Sequence, residues 1–366
     1  MHEWYMRLAL ELAGQAKGRT TPNPLVGAVV VKDGEIVGRG YHRKAGTPHA
    51  EIHAIREAGE KTRGAILYVT LEPCSHFGRT PPCSEAVIKA ELAEVYVAMQ
   101  DPNPLVTGRG IKQMTEAGIK VHVGLLEKEA QRLNEVFIKY ITTRAPFVVL
   151  KTAMTLDGKI ATHTGHSTWV TGSAARETVH RMRDWYDAIL VGVNTVVTDN
   201  PALTCRLSEG GQDPIRIILD SLAKTPPDAK VVVQKSTAPT YLVVTDRAPV
   251  ERIVALSSGK AKIVRTAAGA EGRIDLVGLL QKLGEMEITS ILVEGGAEVA
   301  ASFLEARLID KVVTFIAPKI IGGSGAPGPV GGQGRDSMDE AVRLREISYG
   351  IVGEDLYVEG YPIYSD

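Results

Sequence analysis

Two short stretches constrain this chain more than any others: Pro48-His49-Ala50-Glu51, and Glu72-Pro73-Cys74-Ser75-His76-Phe77-Gly78-Arg79-Thr80-Pro81-Pro82-Cys83. An imidazole and two thiolates are three borderline-soft ligands that leave one tetrahedral position open, the composition of a catalytic zinc and not of a closed structural one. Zinc held by His49, Cys74 and Cys83 would bring the pKa of a bound water from about 15.7 to about 7. Glu51, two residues past His49, is the natural general acid and base for that water. Whatever the fold, it has to bring the two stretches together. The alternative, two buried cysteines and a surface His-Glu pair, is not excluded by spacing alone. Only three cysteines occur in the chain, and two of them stand beside suitable partners, which favours the metal. Cys205, alone in Leu203-Thr204-Cys205-Arg206, reads as a small buried hydrophobe.

A chain of 366 residues is longer than one average domain, so two are expected. The three cysteines show no disulfide pattern, which suggests a reducing compartment. The N-terminus lacks a basic-then-apolar signal, and no apolar run approaches the roughly 20 residues of a membrane span. A cytoplasmic, soluble protein with no membrane partner is expected. The formal net charge of -1 gives no broad basic footprint, so no nucleic-acid partner is expected and any anionic substrate must be recognised locally.

Along the first half, apolar residues recur at helical spacing over 2–17, and Pro22 and Pro24 then stop that helix. A β-branched segment, 25–31, turns at Lys32-Asp33-Gly34 and returns as 35–41. Helices are expected over 49–58, beginning near Pro48, and over 83–90 and 108–117, alternating with strands over 65–71, 94–99 and 119–123. That alternation is an α/β layer structure, with zinc ligands at the starts of two helices. Residues 127–140 read as one closing helix, and Thr142 to Pro146 mark a domain boundary. Asn23, His42, His76, Arg79, Asp101 and Asn103 fall in the turns, where each read alone is an ordinary turn or surface residue.

The second half again alternates. Strands are expected over 147–154, 188–193, 214–219, 240–244 and 288–293, with a helix over 173–184. Its sharpest local feature is Val293-Glu294-Gly295-Gly296-Ala297, where a strand ends in two glycines and a helix begins. Backbone N–H groups there can approach a phosphate, although the spacing is not the G-x-G-x-x-G fingerprint and a glycine pair is often only a turn.

His49-Ala50-Glu51 with Pro73-Cys74 and Cys83 resembles the pattern of the zinc nucleoside and nucleobase deaminases, in which the glutamate is not a ligand. Thr70-Leu71-Glu72-Pro73-Cys74-Ser75-His76, Thr80-Pro81-Pro82-Cys83 and Asp101-Pro102-Asn103-Pro104, in this order, further resemble the bifunctional riboflavin biosynthesis proteins, a pyrimidine deaminase joined to a reductase. In that family the long segment between the two cysteines is usual. Lys151-Thr152-Ala153, Leu156-Asp157-Gly158-Lys159-Ile160-Ala161, Val191-Gly192-Val193-Asn194-Thr195, Asp199-Asn200-Pro201 and Val293-Glu294-Gly295-Gly296 resemble the blocks of its reductase half.

The resemblance implies an α/β protein. Residues 1–145 would be a cytidine-deaminase-like α/β/α domain acting as the zinc-dependent pyrimidine deaminase, and 146–366 a dihydrofolate-reductase-like α/β domain acting as the NADPH-dependent reductase. It places Asn23, His42, His76, Arg79, Asp101 and Asn103 around the pyrimidine and ribose-phosphate. It assigns Ala153, Trp169, Thr195, Asp199, Ser221, Gly296, Ala297, Glu298, Val299, Ala300, Ala301 and Ser302 to NADPH, and Ser167, Arg183, Leu203, Arg206 and Glu294 to the sugar-phosphate substrate. A guanidinium offers paired hydrogen bonds to a phosphate, which suits Arg183 and Arg206, though either alone reads as a solvated charge. Lys151, Asp199 and Glu294 are candidate acids or bases in the reductase, and a homo-oligomer is the family expectation.

Two rival readings stay open at this stage. An RNA or free-nucleoside deaminase with an unrelated C-terminal domain would share the zinc motif, and a non-catalytic zinc-stabilised nucleotide-binding module would share the ligands.

Overall fold

The computed structural model describes residues 1–75, 82–103, 106–257, 259–269 and 272–364. The chain divides into two compact units, Met1–Arg144 and Ala145–Asp366.

The first unit runs α1 (His2–Gly14), β1 (Gly27–Lys32), β2 (Glu35–Tyr41), α2 (Ala50–Ala58), β3 (Ile66–Leu71), α3 (Cys83–Lys89), β4 (Glu94–Met99), α4 (Arg109–Glu116), β5 (Lys120–Val123), α5 (Glu127–Leu133) and α6 (Glu135–Thr143). Its sheet has the order β2-β1-β3-β4-β5. β1 pairs antiparallel with β2 and β3, while β3, β4 and β5 are parallel. Ala28, Val29, Val30 and Val31 are all buried, so both faces of β1 are covered. The cover includes Tyr5, Met6 and Ala9 of α1 and Ala50, Ala54 and Ala58 of α2, all in one apolar core.

The site depends on how closely α2 lies on the sheet. A Cβ on Gly38 would sit 2.1 Å from the Ala54 carbonyl oxygen, and one on Gly40 would sit 2.3 Å from that of Ala50. Real Cβ atoms do not approach so closely, so the absence of a side chain at both positions lets the first turn of α2 settle onto β2. That turn carries Glu51.

Two expectations for this half are corrected. The helix expected from Pro48 starts at Ala50, with His49 as its extended N-cap (φ -74°, ψ 168°). The single helix expected over 127–140 is two helices broken at Asn134. Asn134 is buried, accepts the Leu25 N–H on Oδ1 (2.8 Å) and donates Nδ2–H to the Leu25 carbonyl (3.0 Å). Apolar periodicity cannot register this clasp, because it is a single polar residue bonding to a distant backbone.

The second unit runs β6 (Phe147–Thr155), α7 (Ser173–Trp185), β7 (Ala188–Gly192), α8 (Val193–Asp199), β8 (Ile215–Leu219), α9 (Lys230–Val233), β9 (Thr240–Val244), α10 (Val250–Ser257), β10 (Ala261–Arg265), α11 (Leu276–Glu285), β11 (Ser290–Val293), α12 (Ala297–Glu305), β12 (Lys311–Ala317), β13 (Arg343–Val352) and β14 (Asp355–Ile363). The strand order is β10-β9-β8-β7-β11-β6-β12-β14-β13. Strands from β10 to β12 are parallel, and β14 and β13 extend the sheet antiparallel.

Successive residues of a strand face opposite ways, and this sheet uses both faces. Ala188 and Leu190 pack with Leu279, Leu283 and Phe303 of α11 and α12. Ile189 and Val191 pack with Val196, Val231 and Leu256 of α8, α9 and α10. The residues after β7, read without an element from sequence, form α8. β10, β12, β13 and β14 are further strands that the sequence reading did not pick out.

Candidate active sites

His49 comes from the N-cap of α2, Cys74 from the segment after β3, and Cys83 is the first residue of α3. His49 Nδ1 lies 3.1 Å from Cys83 Sγ and 3.6 Å from Cys74 Sγ, and the three ligand atoms all lie within 4.8 Å of one another. Ligands on one tetrahedral zinc, with bonds of about 2.0–2.3 Å, are separated by roughly 3.6 Å. The donor set and its spacing therefore fit zinc. The Cys83 backbone N–H also points at Cys74 Sγ (3.4 Å).

The Cys74 thiol is held down to about 4, chiefly because Cys83 donates to it and also because His49 lies beside it. The Cys83 thiol is pushed up by Cys74 and by burial, and the hydrogen bond to Cys74 raises His49. One thiolate is thus favoured by the protein itself, and a metal would draw the proton from the second.

Glu51 is buried beside this cluster, and its Oε2 has no hydrogen-bond partner among the described residues. Burial raises its carboxyl to about 7, with His49 opposing. An orphaned carboxyl oxygen that exchanges a proton near neutrality, next to three metal-ligating atoms, suits a proton shuttle for a ligand in the open position.

His42 is buried, and its ring meets that of His49 edge-on at 5.2 Å between centroids. Asn23 Nδ2 is 3.1 Å from His42 Nε2. Asp101 is buried and takes the Asn103 N–H on Oδ1 (2.9 Å). His76 and Arg79, expected in the same pocket, lie outside the described residues.

Sequence reasoning gave no role to Glu72. This buried carboxylate accepts the backbone N–H groups of Asp101 (3.3 Å), Gly108 (2.9 Å), Gly110 (3.0 Å) and Ile111 (3.3 Å). It ties the start of α4 and the Asp101 turn to the segment that ends in Cys74. Its position in Glu72-Pro73-Cys74 was the only available signal.

The second unit holds a cleft of about 650 Å³, within the usual range for a small-molecule site. Ala153, Ser167, Trp169, Arg183, Arg206, Glu294, Gly296, Ala297 and Ala300 of the expected residues line it. Leu203, Thr195, Asp199, Ser221, Glu298, Val299, Ala301 and Ser302 are not among its lining residues. Leu203 is buried, Asp199 is exposed at the end of α8, and the Ser221 carbonyl accepts from Thr245.

A Cβ on Gly295 would sit 2.6 Å from Val191 Cα, so this glycine is required for the close approach of β11 to β7. At Gly296 the nearest atom to a Cβ would be Thr195 Oγ1 at 3.8 Å, which leaves the start of α12 open to the cleft. A helix N-terminus beside a cleft of this size fits the phosphates of a nucleotide cofactor.

Arg183 is less free than the sequence suggests. It donates Nε–H and Nη2–H to the two oxygens of Glu294 (2.8 and 2.9 Å) and Nη1–H to the Thr204 carbonyl (3.1 Å). Lys151 Nζ completes the cluster, 3.9 Å from Glu294 Oε2. Burial pushes the Glu294 carboxyl up, but Arg183 and Lys151 more than reverse this, so it lies below its ordinary value. Burial lowers Lys151, with Glu294 opposing. Arg176 and His180, on the same helix as Arg183, also line the cleft and were not anticipated. Arg176 lies over the Trp169 ring at 4.8 Å.

Residues 146–358 match the RibD C-terminal domain family, and residues 1–99 match the cytidine and deoxycytidylate deaminase zinc-binding region. The riboflavin biosynthesis protein RibD of Actinobacillus pleuropneumoniae is 46% identical over 364 residues, covering 97% of this chain and 94% of that protein. The chain belongs to the RibD family. It is therefore an enzyme of two activities, a deaminase with a zinc site followed by a reductase that uses NADPH. Acinetobacter baumannii RibD superposes with a TM-score of 0.86 at 36% identity, covering 99% of both chains. A diaminohydroxyphosphoribosylaminopyrimidine deaminase/5-amino-6-(5-phosphoribosylamino)uracil reductase from Thermotoga maritima superposes with a TM-score of 0.85 at 39% identity, also covering 99% of both. The α/β architecture expected for each half is that of this family, and the paired activities exclude an RNA or free-nucleoside deaminase with an unrelated C-terminal domain and a non-catalytic zinc-stabilised nucleotide-binding module.

Proposed function

We propose that this RibD family member deaminates 2,5-diamino-6-(5-phosphoribosylamino)pyrimidin-4(3H)-one and then reduces the ribosyl group of the product, giving 5-amino-6-(5-phosphoribitylamino)uracil. The observation that carries the first step is the His49, Cys74 and Cys83 cluster with the orphaned Glu51 oxygen beside it. We assign this step to residues 1–145 and the second to 146–366, which the division into compact units supports.

Zinc, when bound by His49, Cys74 and Cys83, supplies the Lewis acidity that lets water ionise near neutral pH. Glu51 Oε2 accepts one proton of the attacking water and delivers it to the ring nitrogen, then carries the second proton of that water to the departing amine, so water enters and ammonia leaves. Burial keeps Glu51 close to the pH at which it can do both. Asn23, His42, Asp101 and Asn103, with His76 and Arg79, hold the pyrimidine and its ribose-phosphate.

In the reductase, NADPH when bound supplies the hydride for the sugar carbon. We assign Ala153, Trp169, Thr195, Asp199, Ser221 and the segment from Gly296 through Ala297, Glu298, Val299, Ala300 and Ala301 to Ser302 to the cofactor. Ser167, Arg183, Leu203, Arg206 and Glu294 are assigned to the sugar-phosphate. Because Arg183 is engaged by Glu294, exposed Arg206 is the more available phosphate partner. Lys151 and Glu294 meet within the cleft wall and can pass a proton there, whereas Asp199 does not line it.

We also place the protein in the cytoplasm as a homo-oligomer. No described helix is long and apolar enough to cross a membrane, and the three cysteines are unpaired. Edge strand β13 exposes Ile347, Tyr349 and Ile351 in alternation, a surface suited to a second copy, which light scattering would test. The test of the reactions is incubation of zinc-loaded protein with the diaminopyrimidinone ribosyl phosphate. Ammonia release and NADPH absorbance are followed separately, and no change in either would refute the assignment.

A further inference from the structure

Trp169, Val170 and Thr171 form part of the reductase cleft wall, yet they belong to no helix or strand. A segment of this kind keeps its shape only if its backbone groups find partners elsewhere. Side chains from three separate places in the fold supply them. Lys319 Nζ, just past the end of β12, donates to the carbonyls of Trp169 (3.0 Å) and Val170 (2.8 Å). Arg176 Nη1, from α7, donates to the Thr171 carbonyl (2.7 Å). The buried carboxylate of Asp355, at the start of β14, accepts the Gly172 N–H (2.8 Å). Three consecutive carbonyls and the amide that follows are thus each tied to a cationic or acidic side chain, and such bonds are stronger than neutral ones. Lys319 is itself anchored: its N–H bonds to the Ala317 carbonyl (2.7 Å), and its own carbonyl takes the Leu156 N–H (2.8 Å).

What this wall presents is Trp169. Its indole is 64% exposed, a large apolar ring left to solvent, and the Arg176 guanidinium lies over it at 4.8 Å. Arg176 stands against one face, and the exposed surface of the indole is on offer to a planar ring. Arg176 also lines the cleft, whereas Lys319 and Asp355 are not among its lining residues. Whatever Lys319 does for a ligand in the cleft, it does through the chain it holds.

We infer that Lys319, with Arg176 and Asp355, holds residues 169–172 so that the Trp169 indole is set in place before the dinucleotide arrives, which makes Lys319 a positioning residue for cofactor binding. An indole fixed in advance gives its stacking energy to the ligand without the cost of ordering a loop on binding. The inference rests on the reading of Trp169 as a contact of NADPH.

The first measurement needs no cofactor. The chain has three tryptophans, so in the full chain carrying Trp4→Phe and Trp185→Phe the indole emission comes from Trp169 alone. Its fluorescence anisotropy should fall when Lys319→Met is added and return with Lys319→Arg, which keeps the cation and two donors. Anisotropy unchanged by Lys319→Met overturns the inference. The second measurement titrates NADPH into the otherwise wild-type full chain. Lys319→Met should weaken binding roughly three- to ten-fold, the cost of ordering one free side chain and its loop, and Lys319→Arg should restore it. The effect should lie in the dissociation constant and not in kcat at saturating NADPH, and ammonia release should stay at the wild-type rate, a pattern that general unfolding does not produce. If Trp169→Leu weakens NADPH binding and Lys319→Met does not, the cofactor reading of Trp169 stands and the inference is overturned. If Trp169→Leu leaves NADPH binding unchanged while Lys319→Met lowers the anisotropy, the segment is held as described, but the cofactor reading of Trp169 fails and takes the role of Lys319 in binding with it.

Discussion

The two sites of this chain are built on opposite plans. In the first unit the chemistry is concentrated in one cluster: three ligand atoms within 4.8 Å of one another and one carboxyl beside them. In the second it is spread around a cleft of about 650 Å³, whose charged groups are held by one another as much as they are aimed at a ligand. A metal centre demands particular atoms at particular distances, so short motifs carry it. A cleft for a large cofactor needs shape and backbone approach, which many residue types can supply.

The largest effects should come from the concentrated site. Removing the metal with a chelator should abolish ammonia release and leave NADPH oxidation on the deaminated substrate intact, and re-addition of zinc should restore the first activity. Glu51→Gln should keep its zinc, by metal analysis, yet lower ammonia release by roughly 10²–10⁴-fold, the usual contribution of a general acid and base. Ammonia release at the wild-type rate would show that Glu51 is not the shuttle.

The spread site should respond through stability. Arg183→Met leaves buried Glu294 without its main partner, which typically costs about 3–5 kcal/mol. Denaturant unfolding should register that loss together with reduced NADPH oxidation. If unfolding is unchanged, the cluster does not hold the cleft together as described.

The same cluster predicts a direction with pH. The folded Glu294 carboxyl lies below its ordinary 4.5, so its stabilising contribution is fully present above that value and is lost as the pH falls through the lower, folded value. Below pH 4.5 the wild type should therefore lose stability faster than Glu294→Gln. Parallel acid-unfolding profiles would contradict this.

The smallest effect is expected at Asn134. Asn134→Ala removes both hydrogen bonds to Leu25 and should cost about 1–3 kcal/mol, measured by unfolding, with kcat for ammonia release unchanged. A large change in kcat would mean that the clasp reaches the metal site.

Much of the fold was legible. The strand and helix alternation in both halves follows from apolar periodicity, and β2, β4 and β9 fall where the sequence places them. The strands β12 to β14 and helix α8 were not picked out, and the break at Asn134 arises from a contact between residues 109 positions apart. In the metal site His49, Glu51, Cys74 and Cys83 were all named in advance, yet Glu72, which holds α4 beside Cys74, had no signal beyond its place in the motif. In the cleft, Arg183 taken alone reads as a solvated charge and only the resemblance made it a substrate contact, whereas the fold pairs it with Glu294, and Arg176 and His180 share its helix without any motif to mark them.

The sequence by itself determined the three donor residues that the fold brings together, the glutamate beside them, the alternating architecture and the glycine pair before α12. These are properties of residue type and local spacing, and local spacing is what a sequence records. Only the tertiary structure decided that Glu51 is buried enough to exchange protons near neutrality, that Arg183 is already paired, and that Glu72 holds the start of α4 beside Cys74. Each depends on desolvation or on a partner far away in the chain, and those energies exist only once the backbone has closed around the groups.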